Sequence, residues 1–325
     1  MAVVTDSTAA LPPGLAQAVG LQVVPLDVSI DGARYAEGVD VTPEQLLHAL
    51  ARGAKVTTSQ PPPSAFAAAY ERAAAAGAHE IVSVHLSGEM SGTVRSARTA
   101  ATVSPVPVRV VDTRTAALGL GFAALAAARA AGTPAGAPGA GAGEDGFGDT
   151  VRRWVVRAVQ RGTPVPTWPD AEHVAHVAAA TAASSRVWFL VDSLEHLRRG
   201  GRLGTAAAAL GTVLGLRPLL TVQDGRLVVS EKVRTRRAAR ERLEQVALAE
   251  LAERPGARVA VHHVGPSEGA DELAERLAAA TGVPAQDVLV ADAGAVLAAH
   301  VGPGLLAVVV ADAWQDTDAG DAPPS

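Results

Sequence analysis

Short runs of β-branched residues alternate with alanine-rich helical segments along most of this chain, and this alternation constrains its fold most strongly. In the first half the apolar runs are AVVT, LQVVPLDVSI, EIVSVHL and VPVRVVDT. Strands that alternate with helices of about 10 to 15 residues indicate βαβ units and a largely parallel sheet covered on both faces. The helical patterns that lie between or after these runs cover 43–52, 63–76, 93–102 and 118–131.

The second half has a different pattern, with strands that follow each other directly as well as strands separated by helices. An Asp-Gly pair at Asp224 and Gly225 joins the runs LRPLLTV and RLVVSEKV, which is a strong signal for an antiparallel hairpin. Helical patterns follow at 236–253 and 268–281. The sequence therefore predicts two α/β domains, at 1–185 with a largely parallel sheet and at 186–316 with a mixed sheet.

Two parts of the chain do not fit this pattern. Residues 133–170 read as an insertion into the first domain, and the Gly/Ala-rich stretch 132–149 has little to bury. Residues 317–325 are polar, and we expect a disordered tail there. A Leu/Gly-rich segment after GGRLG is expected to form a helix.

Composition excludes several classes of function. The 325 residues are 48% hydrophobic, carry a formal charge of -5 and include 3% aromatics, so the chain can bury large cores but does not suit nucleic-acid binding. The absence of cysteine excludes thiol catalysis, disulfides and cysteine-ligated zinc. The N-terminus has no signal-peptide pattern and no apolar run reaches about 18 residues, so we expect a cytoplasmic protein.

Hydroxyl side chains concentrate in two segments that precede helices. The first, TTSQPPP, places Thr58 and Ser59 before three prolines, which have fixed φ angles and no backbone N–H. We interpret this segment as a stiffened loop whose hydroxyl groups are donors for a polar ligand. The alternative is that one of these hydroxyls only caps the following helix.

The second segment, HLSGEMSGTVRSA, carries Ser91, Gly92 and Thr93 where a strand gives way to a helix. Such a junction exposes backbone N–H groups at the positive end of the helix dipole and suits a carboxylate or phosphate. An ordinary cap by Ser91 or Thr93 is the alternative. The spacing of its residues does not match a phosphate loop, a dinucleotide fingerprint or a nucleophile elbow.

Three histidines and one arginine complete the candidates. His262 and His263 end the strand VAVHH, but only one of them can point into a given pocket because strand residues alternate between faces. No acidic cluster of suitable spacing accompanies them, so we predict no metal site. His300 precedes a Gly-Pro-Gly turn, and Arg202 in LRRGGRLG suits a phosphate or an acidic partner surface, or is a solvated turn residue.

Eight elements, in order, resemble the DegV family, the bacterial fatty-acid-binding proteins that serve as the acyl-carrying subunit of fatty acid kinase. They cover nearly the whole chain and are VTDSTAALP, TSQPPP, HLSGEMSGTVRSA, VVDTRTAALGLG, LVDSLEHLRRGGRLG, LRPLLTVQDGRLVVSEKVRTR, VAVHH and HVGPG. Residues 133–170 depart from the resemblance, which implies a shorter connection there. It implies a DegV-like fold with a long-chain fatty acid bound in a tunnel and no further cofactor.

The resemblance also assigns roles to residues. It implies that the acid's carboxyl group is held by Thr58, Ser91, the backbone of Gly92 and a strand-end histidine best matched by His263. It implies that Arg202 helps a separate ATP-dependent kinase subunit to form an acyl phosphate, so this chain is a carrier and not an enzyme. Additional ligand or partner contacts are expected from Ser59, Thr93, His262 and His300, and lipid exchange implies transient membrane contact.

Two other functions remain open at this level. The DegV fold is similar to the substrate-binding half of dihydroxyacetone kinase, so one alternative is an enzyme that binds a small ketone covalently through His262 or His263. A nucleotide-binding regulator is the other, although the chain lacks phosphate-loop spacing.

Overall fold

The fold comes from a computed structural model that describes residues 1–132, 170–203 and 217–314. Most of the predicted insertion at 133–170, the helix expected after GGRLG and the tail at 317–325 lie outside these residues. Within them, thirteen strands and ten α-helices are present. No helix among them is both long and apolar enough to cross a bilayer.

The strands carry the labels β1 to β13 in chain order. They are Ala2–Asp6, Gln22–Val24, Asp27–Ile30, Ala33–Ala36, Val56–Ser59, Ile81–His85, Val108–Asp112, Arg186–Leu190, Arg217–Gln223, Arg226–Val233, Arg258–His263, Val288–Asp292 and Leu306–Ala311. The helices carry the labels α1 to α10. They are Leu15–Ala18, Pro43–Ala51, Pro63–Ala75, Thr93–Ala101, Leu118–Ala130, Ala171–Ser184, Glu195–Arg199, Arg236–Glu253, Glu268–Thr281 and Ala295–Val301.

The first domain contains a parallel sheet in the order β2-β1-β6-β7, as the alternating pattern predicts. Every residue of the central strand β6 is buried, because helices cover both faces of the sheet. The end of β6 leads directly into the segment that carries Ser91.

A second, smaller sheet in the same domain differs from the sequence prediction. Strands β4, β3 and β5 pair antiparallel, and Val28 of β3 lies opposite Thr58 of β5. The hydroxyl segment that we interpreted as a loop is therefore a strand that ends just before the prolines. Its residues alternate in exposure, with Val56 and Thr58 partly buried on one face.

The second domain contains a mixed sheet in the order β10-β9-β8-β13-β11-β12. Strands β9 and β10 form the hairpin predicted from Asp224 and Gly225, and β11 pairs in parallel with β12 and antiparallel with β13. The prediction of two α/β domains, with a largely parallel first sheet and a mixed second sheet, is confirmed.

Helix α5 lies between the two domains. It is apolar on all sides, and eleven consecutive residues from Leu118 to Ala128 are buried. It packs against β1 and β6 of the first sheet and β13 of the second. The largest apolar core cluster therefore contains residues of both domains, among them Phe122, Val84 and Val309.

Candidate functional site

An apolar cavity lies between the domains and is lined by residues of both. Its apolar wall includes Leu86 of the first domain and Val187, Phe189, Leu227, Val296 and Leu305 of the second. Six of the residues expected to contact a ligand or partner line this cavity: Thr58, Ser59, Ser91, Arg202, His262 and His300. We call this space the interdomain cavity.

Thr58 and His300 meet across the domain boundary. The Thr58 hydroxyl lies 2.7 Å from His300 Nε2, and this contact joins β5 to α10. The His300 ring is largely buried, and its Nδ1 has no hydrogen-bond partner among the described residues. Burial, together with the nearby positive charge of Arg202, lowers the pKa of His300 to about 4, so the ring is neutral at pH 7.

The two hydroxyl segments converge through Gln60 and Gly92. A Cβ atom added to Gly92 would lie 2.4 Å from Gln60 Oε1, so the Gln60 side chain lies directly against this glycine. Gly92 has an ordinary φ of -76°, so its backbone does not require glycine, and a larger side chain there would displace the end of the exposed Gln60 side chain. Gly92 and Thr93 do not line the cavity themselves.

The Ser91 hydroxyl has two local partners. It lies 2.8 Å from the Thr93 hydroxyl and accepts a hydrogen bond from the Thr93 backbone N–H at 3.3 Å. The N-cap residue of α4 is Gly92, which provides no side-chain cap, so the alternative of an ordinary cap by Ser91 does not describe its position. The Ser91 hydroxyl also lines the interdomain cavity, where it can contact a ligand.

Arg202 joins the GGR segment to the Ser91 segment. Its Nε donates to the Met90 carbonyl at 3.1 Å, and its Nη1 donates to the Gly200 carbonyl at 2.5 Å. Gly200 in turn lies against His300, because a Cβ at Gly200 would be 2.4 Å from His300 Nδ1. The polar groups of the cavity are thus neighbours of one another and form a cluster.

His262 lines the cavity, but both of its ring nitrogens are occupied. Nε2 accepts a hydrogen bond from the Leu118 backbone N–H at 3.0 Å, which leaves Nδ1 as the donor to the Ala291 carbonyl at 3.0 Å. Burial lowers the pKa of His262 to about 4, so the neutral ring caps the first turn of α5 from the opposite domain. It has no nitrogen left for a ligand.

The structure places His263 away from the interdomain cavity, unlike the assignment drawn from the resemblance. Because β11 residues alternate between faces, His263 points to the opposite side of the sheet from His262. There its Nδ1 bonds to the Gly265 carbonyl at 2.7 Å, and it lines an outer cleft with His196 and Arg240. The histidine that joins Thr58 in the cavity is His300.

Comparison with known proteins identifies the family. A family model described as "Uncharacterised protein, DegV family" matches residues 1–136 and 169–313. The chain belongs to the DegV family. A DegV domain-containing protein of Streptomyces coelicolor is 42% identical over 314 residues, which cover 95% of this chain and 98% of that protein.

Two solved structures are similar to this DegV chain over nearly its whole length. "Fatty Acid Binding of a DegV family Protein from Thermus thermophilus" is 34% identical, covers 96% of this chain and 99% of that chain, and gives a TM-score of 0.75. DegV of Bacillus subtilis, described as a fatty acid binding protein, is 28% identical, covers 96% and 98%, and gives a TM-score of 0.76.

A second polar cluster in this DegV protein includes His85, the neighbour of the cavity residue Leu86, and it is not among the candidates predicted from the sequence. His85 bonds Asp6 Oδ2 through Nδ1 at 3.0 Å and Ser83 Oγ through Nε2 at 2.6 Å, and Ser83 bonds the Tyr70 hydroxyl at 2.9 Å. All four side chains are buried and none lines the interdomain cavity. Although Ser, His and Asp are aligned here, no substrate can reach the serine.

This cluster supports the segment that carries Ser91. Asp6 also accepts hydrogen bonds from the backbone N–H groups of Leu86 and Thr8, both at 3.1 Å. The end of β6 is therefore fixed just before Ser87, which itself donates to the Gly225 carbonyl of the β9–β10 hairpin at 2.7 Å. Within residues 1–132, 170–203 and 217–314, no group of three or more His, Asp or Glu side chains is arranged to hold a metal ion.

Proposed function

We propose that this DegV protein binds a long-chain fatty acid, with the acyl tail in the interdomain cavity and the carboxyl group at Thr58, Ser91 and His300. The observation that carries this proposal is the Thr58–His300 pair at 2.7 Å in a cavity whose other walls are mostly apolar. Two solved relatives that are 34% and 28% identical are described as fatty acid binding, which supports the same ligand class here.

The chemistry of the cavity suits a ligand with one polar end. Burial of an acyl methylene contributes about 0.8 kcal/mol, so about 14 of them offer roughly 11 kcal/mol before the costs of association and chain ordering. A carboxylate buried without partners is strongly unfavourable. In our proposal the hydroxyls of Thr58 and Ser91 and the neutral His300 ring supply the hydrogen-bond donors.

The experiment that tests this proposal has two parts. Lipid extracted from the purified protein should contain a fatty acid by mass spectrometry, and added oleate should raise the thermal midpoint of delipidated protein. The variant Thr58→Val with Ser91→Ala should fold normally and bind oleate about tenfold or more weakly, because two hydrogen-bond donors are lost. No extracted fatty acid together with an unchanged thermal midpoint would remove the basis of the proposal.

We further propose that the chain is a carrier, present in the bacterial cytoplasm, that presents the bound acid to a separate ATP-dependent kinase subunit. Arg202 lines the cavity and holds the Met90 and Gly200 carbonyls, so its guanidinium lies beside the proposed carboxyl site. A guanidinium in this position suits the negative charge that develops when an acyl phosphate forms.

The variant Arg202→Ala separates the role of Arg202 in acyl phosphate formation from fatty acid binding. We expect near-normal oleate affinity but at least about tenfold slower acyl phosphate formation with the kinase subunit and ATP. Equal turnover by the variant and the wild type would refute the role of Arg202 and leave the binding proposal intact.

The alternative of a ketone-binding enzyme is tested on the same sample. Incubation with dihydroxyacetone should leave the intact mass of the native protein unchanged under our proposal. An adduct on His262 or His263 would favour the enzyme instead.

A further inference from the structure

Helix α10, which carries His300, is capped by a side chain from the other domain. The Val296 backbone N–H in its first turn donates to Glu37 Oε1 at 2.7 Å, although the two residues are 259 positions apart. Glu37 is only 7% exposed. A carboxylate at this end of a helix satisfies an otherwise orphaned N–H group and interacts favourably with the helix dipole.

The local backbone makes room for this contact. Gly294, just before α10, has a φ of +85°, and a Cβ there would lie 2.7 Å from Glu37 Oε1. Any other residue at 294 would be strained and would push the Glu37 carboxyl group away. The Glu37 backbone N–H is also fixed, because it donates to the Leu26 carbonyl at 2.9 Å.

Val296 and His300 are four residues apart, so they lie on the same face of α10, one turn from each other. Both line the interdomain cavity. The helix has seven residues and carries a side-chain contact from the first domain at each end, Glu37 at the first turn and Thr58 at the last. A shift of the first turn would move the His300 ring.

We propose that Glu37 is a positioning residue for His300: it caps the first turn of α10 and so holds the imidazole where the carboxyl group of the ligand binds. This inference rests on the proposed function, because it requires a ligand carboxyl group at His300. Glu37 does not line the cavity, so it acts through the helix and not by contact with the ligand.

Titration of Glu37 makes the inference measurable. Burial raises the pKa of Glu37 to about 7, and the charge of Asp6 on β1 adds to this effect. The other acid near the helix start is Asp292 at the end of β12, which accepts a hydrogen bond from the Gly294 N–H at 2.7 Å. As the pH rises through 7, Glu37 ionises and becomes a stronger acceptor for the first turn of α10.

The test compares oleate dissociation constants of Glu37→Gln and wild type at pH 6 and pH 8. The ratio of variant to wild type should grow from about 1 at pH 6, where both side chains are neutral, to about fivefold at pH 8, where only the wild type has a charged cap. In a His300→Ala background the same ratio should stay near 1 at both pH values, since no imidazole remains to be positioned. Glu71→Gln, on the exposed face of α3, is the matched control and should give a ratio of 1 throughout.

Each outcome is decisive. Suppose that wild-type protein binds oleate and that His300→Ala weakens binding. If the ratio of the Glu37→Gln and wild-type dissociation constants then stays at 1 at pH 8, or if it rises to the same extent in the His300→Ala background, the inference is overturned and the proposed function stands. If wild-type protein does not bind oleate, both fail together. Should Glu37→Gln not fold, Glu37→Asp keeps the acid but shortens its reach, and it should bind oleate more weakly than wild type only while His300 is present.

Discussion

Two histidines line the same cavity, His262 fully buried and His300 largely buried, and their hydrogen bonds give them opposite roles. His262 has both nitrogens bonded to backbone groups, Leu118 N–H and the Ala291 carbonyl. His300 has one nitrogen bonded to the Thr58 hydroxyl, and its other nitrogen has no partner among the described residues. Burial lowers the pKa of both to about 4, so the protonation state does not distinguish them.

The difference shows that the role of a cavity histidine follows from its partners. His262 joins α5 to β11 and β12, and a ligand that bonded to it would have to break a contact that holds the domains together. His300 bonds to a side-chain hydroxyl that can turn to another partner without disturbing the backbone. A ligand carboxyl group can therefore engage His300 and Thr58 at little cost to the fold.

Removal of His262 should give the largest loss of folding stability. His262→Ala leaves a buried N–H and a buried carbonyl unpaired and creates a cavity, so the free energy of unfolding should fall by about 4 kcal/mol. Urea unfolding at pH 7 measures this loss. His263→Ala is the matched control and should cost no more than about 1 kcal/mol, because its described hydrogen bond is to a nearby loop carbonyl. Equal losses of stability in the two variants would mean that the contacts of His262 do not hold the two domains together.

The second-largest effect should be the loss of folding stability at acidic pH. The pKa of each histidine is about 4 in the folded protein and 6.5 in the unfolded chain. Its contribution to the free energy of unfolding is therefore fully present above pH 6.5 and is lost as the pH falls towards 4. Each ring should contribute up to about 3 kcal/mol of this loss. Glu37 acts in the opposite sense, since its raised pKa makes its contribution fall as the pH rises from 4.5 to 7.

Urea unfolding of wild type and His300→Gln at several pH values isolates the contribution of one ring. The stability of the wild type relative to the variant should decrease between pH 6.5 and 4.5, and Glu37 cancels in the comparison because both proteins carry it. A difference that does not depend on pH would contradict the buried, neutral state of His300.

Removal of His300 should have a smaller effect on stability but a selective effect on binding. His300→Ala should lower oleate affinity about tenfold, equivalent to about 1.4 kcal/mol, because a buried carboxyl group loses a hydrogen-bond partner. Isothermal titration with delipidated protein measures the change, and His263→Ala again serves as the control. If His263→Ala weakened binding more than His300→Ala, the roles drawn from the cavity would be reversed.

Local signals predicted the helices and the two larger sheets well, but not the small antiparallel sheet. The helix expected at 43–52 begins at Pro43 and ends at Ala51, and Thr42 and Gln45 form a capping box at its start. The helices expected at 236–253 and 268–281 have the predicted ends. Strand β5 was missed because it is only four residues long and is followed by prolines, and its pairing with β3 depends on a non-local contact.

The site was only partly predictable, because its key contacts join residues far apart in the chain. Thr58 and His300 are 242 positions apart, and no local pattern reveals their pairing. Strand alternation showed that His262 and His263 face opposite sides, but it could not say which face borders the cavity. The alternation of Ser83 and His85 on one face of β6 was a signal for the buried cluster, although the partner Asp6 comes from another strand.

A crystal structure of the protein loaded with oleate is the most direct test of this account. We expect the carboxyl oxygens within hydrogen-bond distance of the Thr58 and Ser91 hydroxyls and of the His300 ring, with the acyl chain along Val187, Phe189 and Leu227 and the His262 hydrogen bonds intact. A carboxyl group in the outer cleft beside His263, or one bonded to His262 with the Leu118 contact broken, would contradict it.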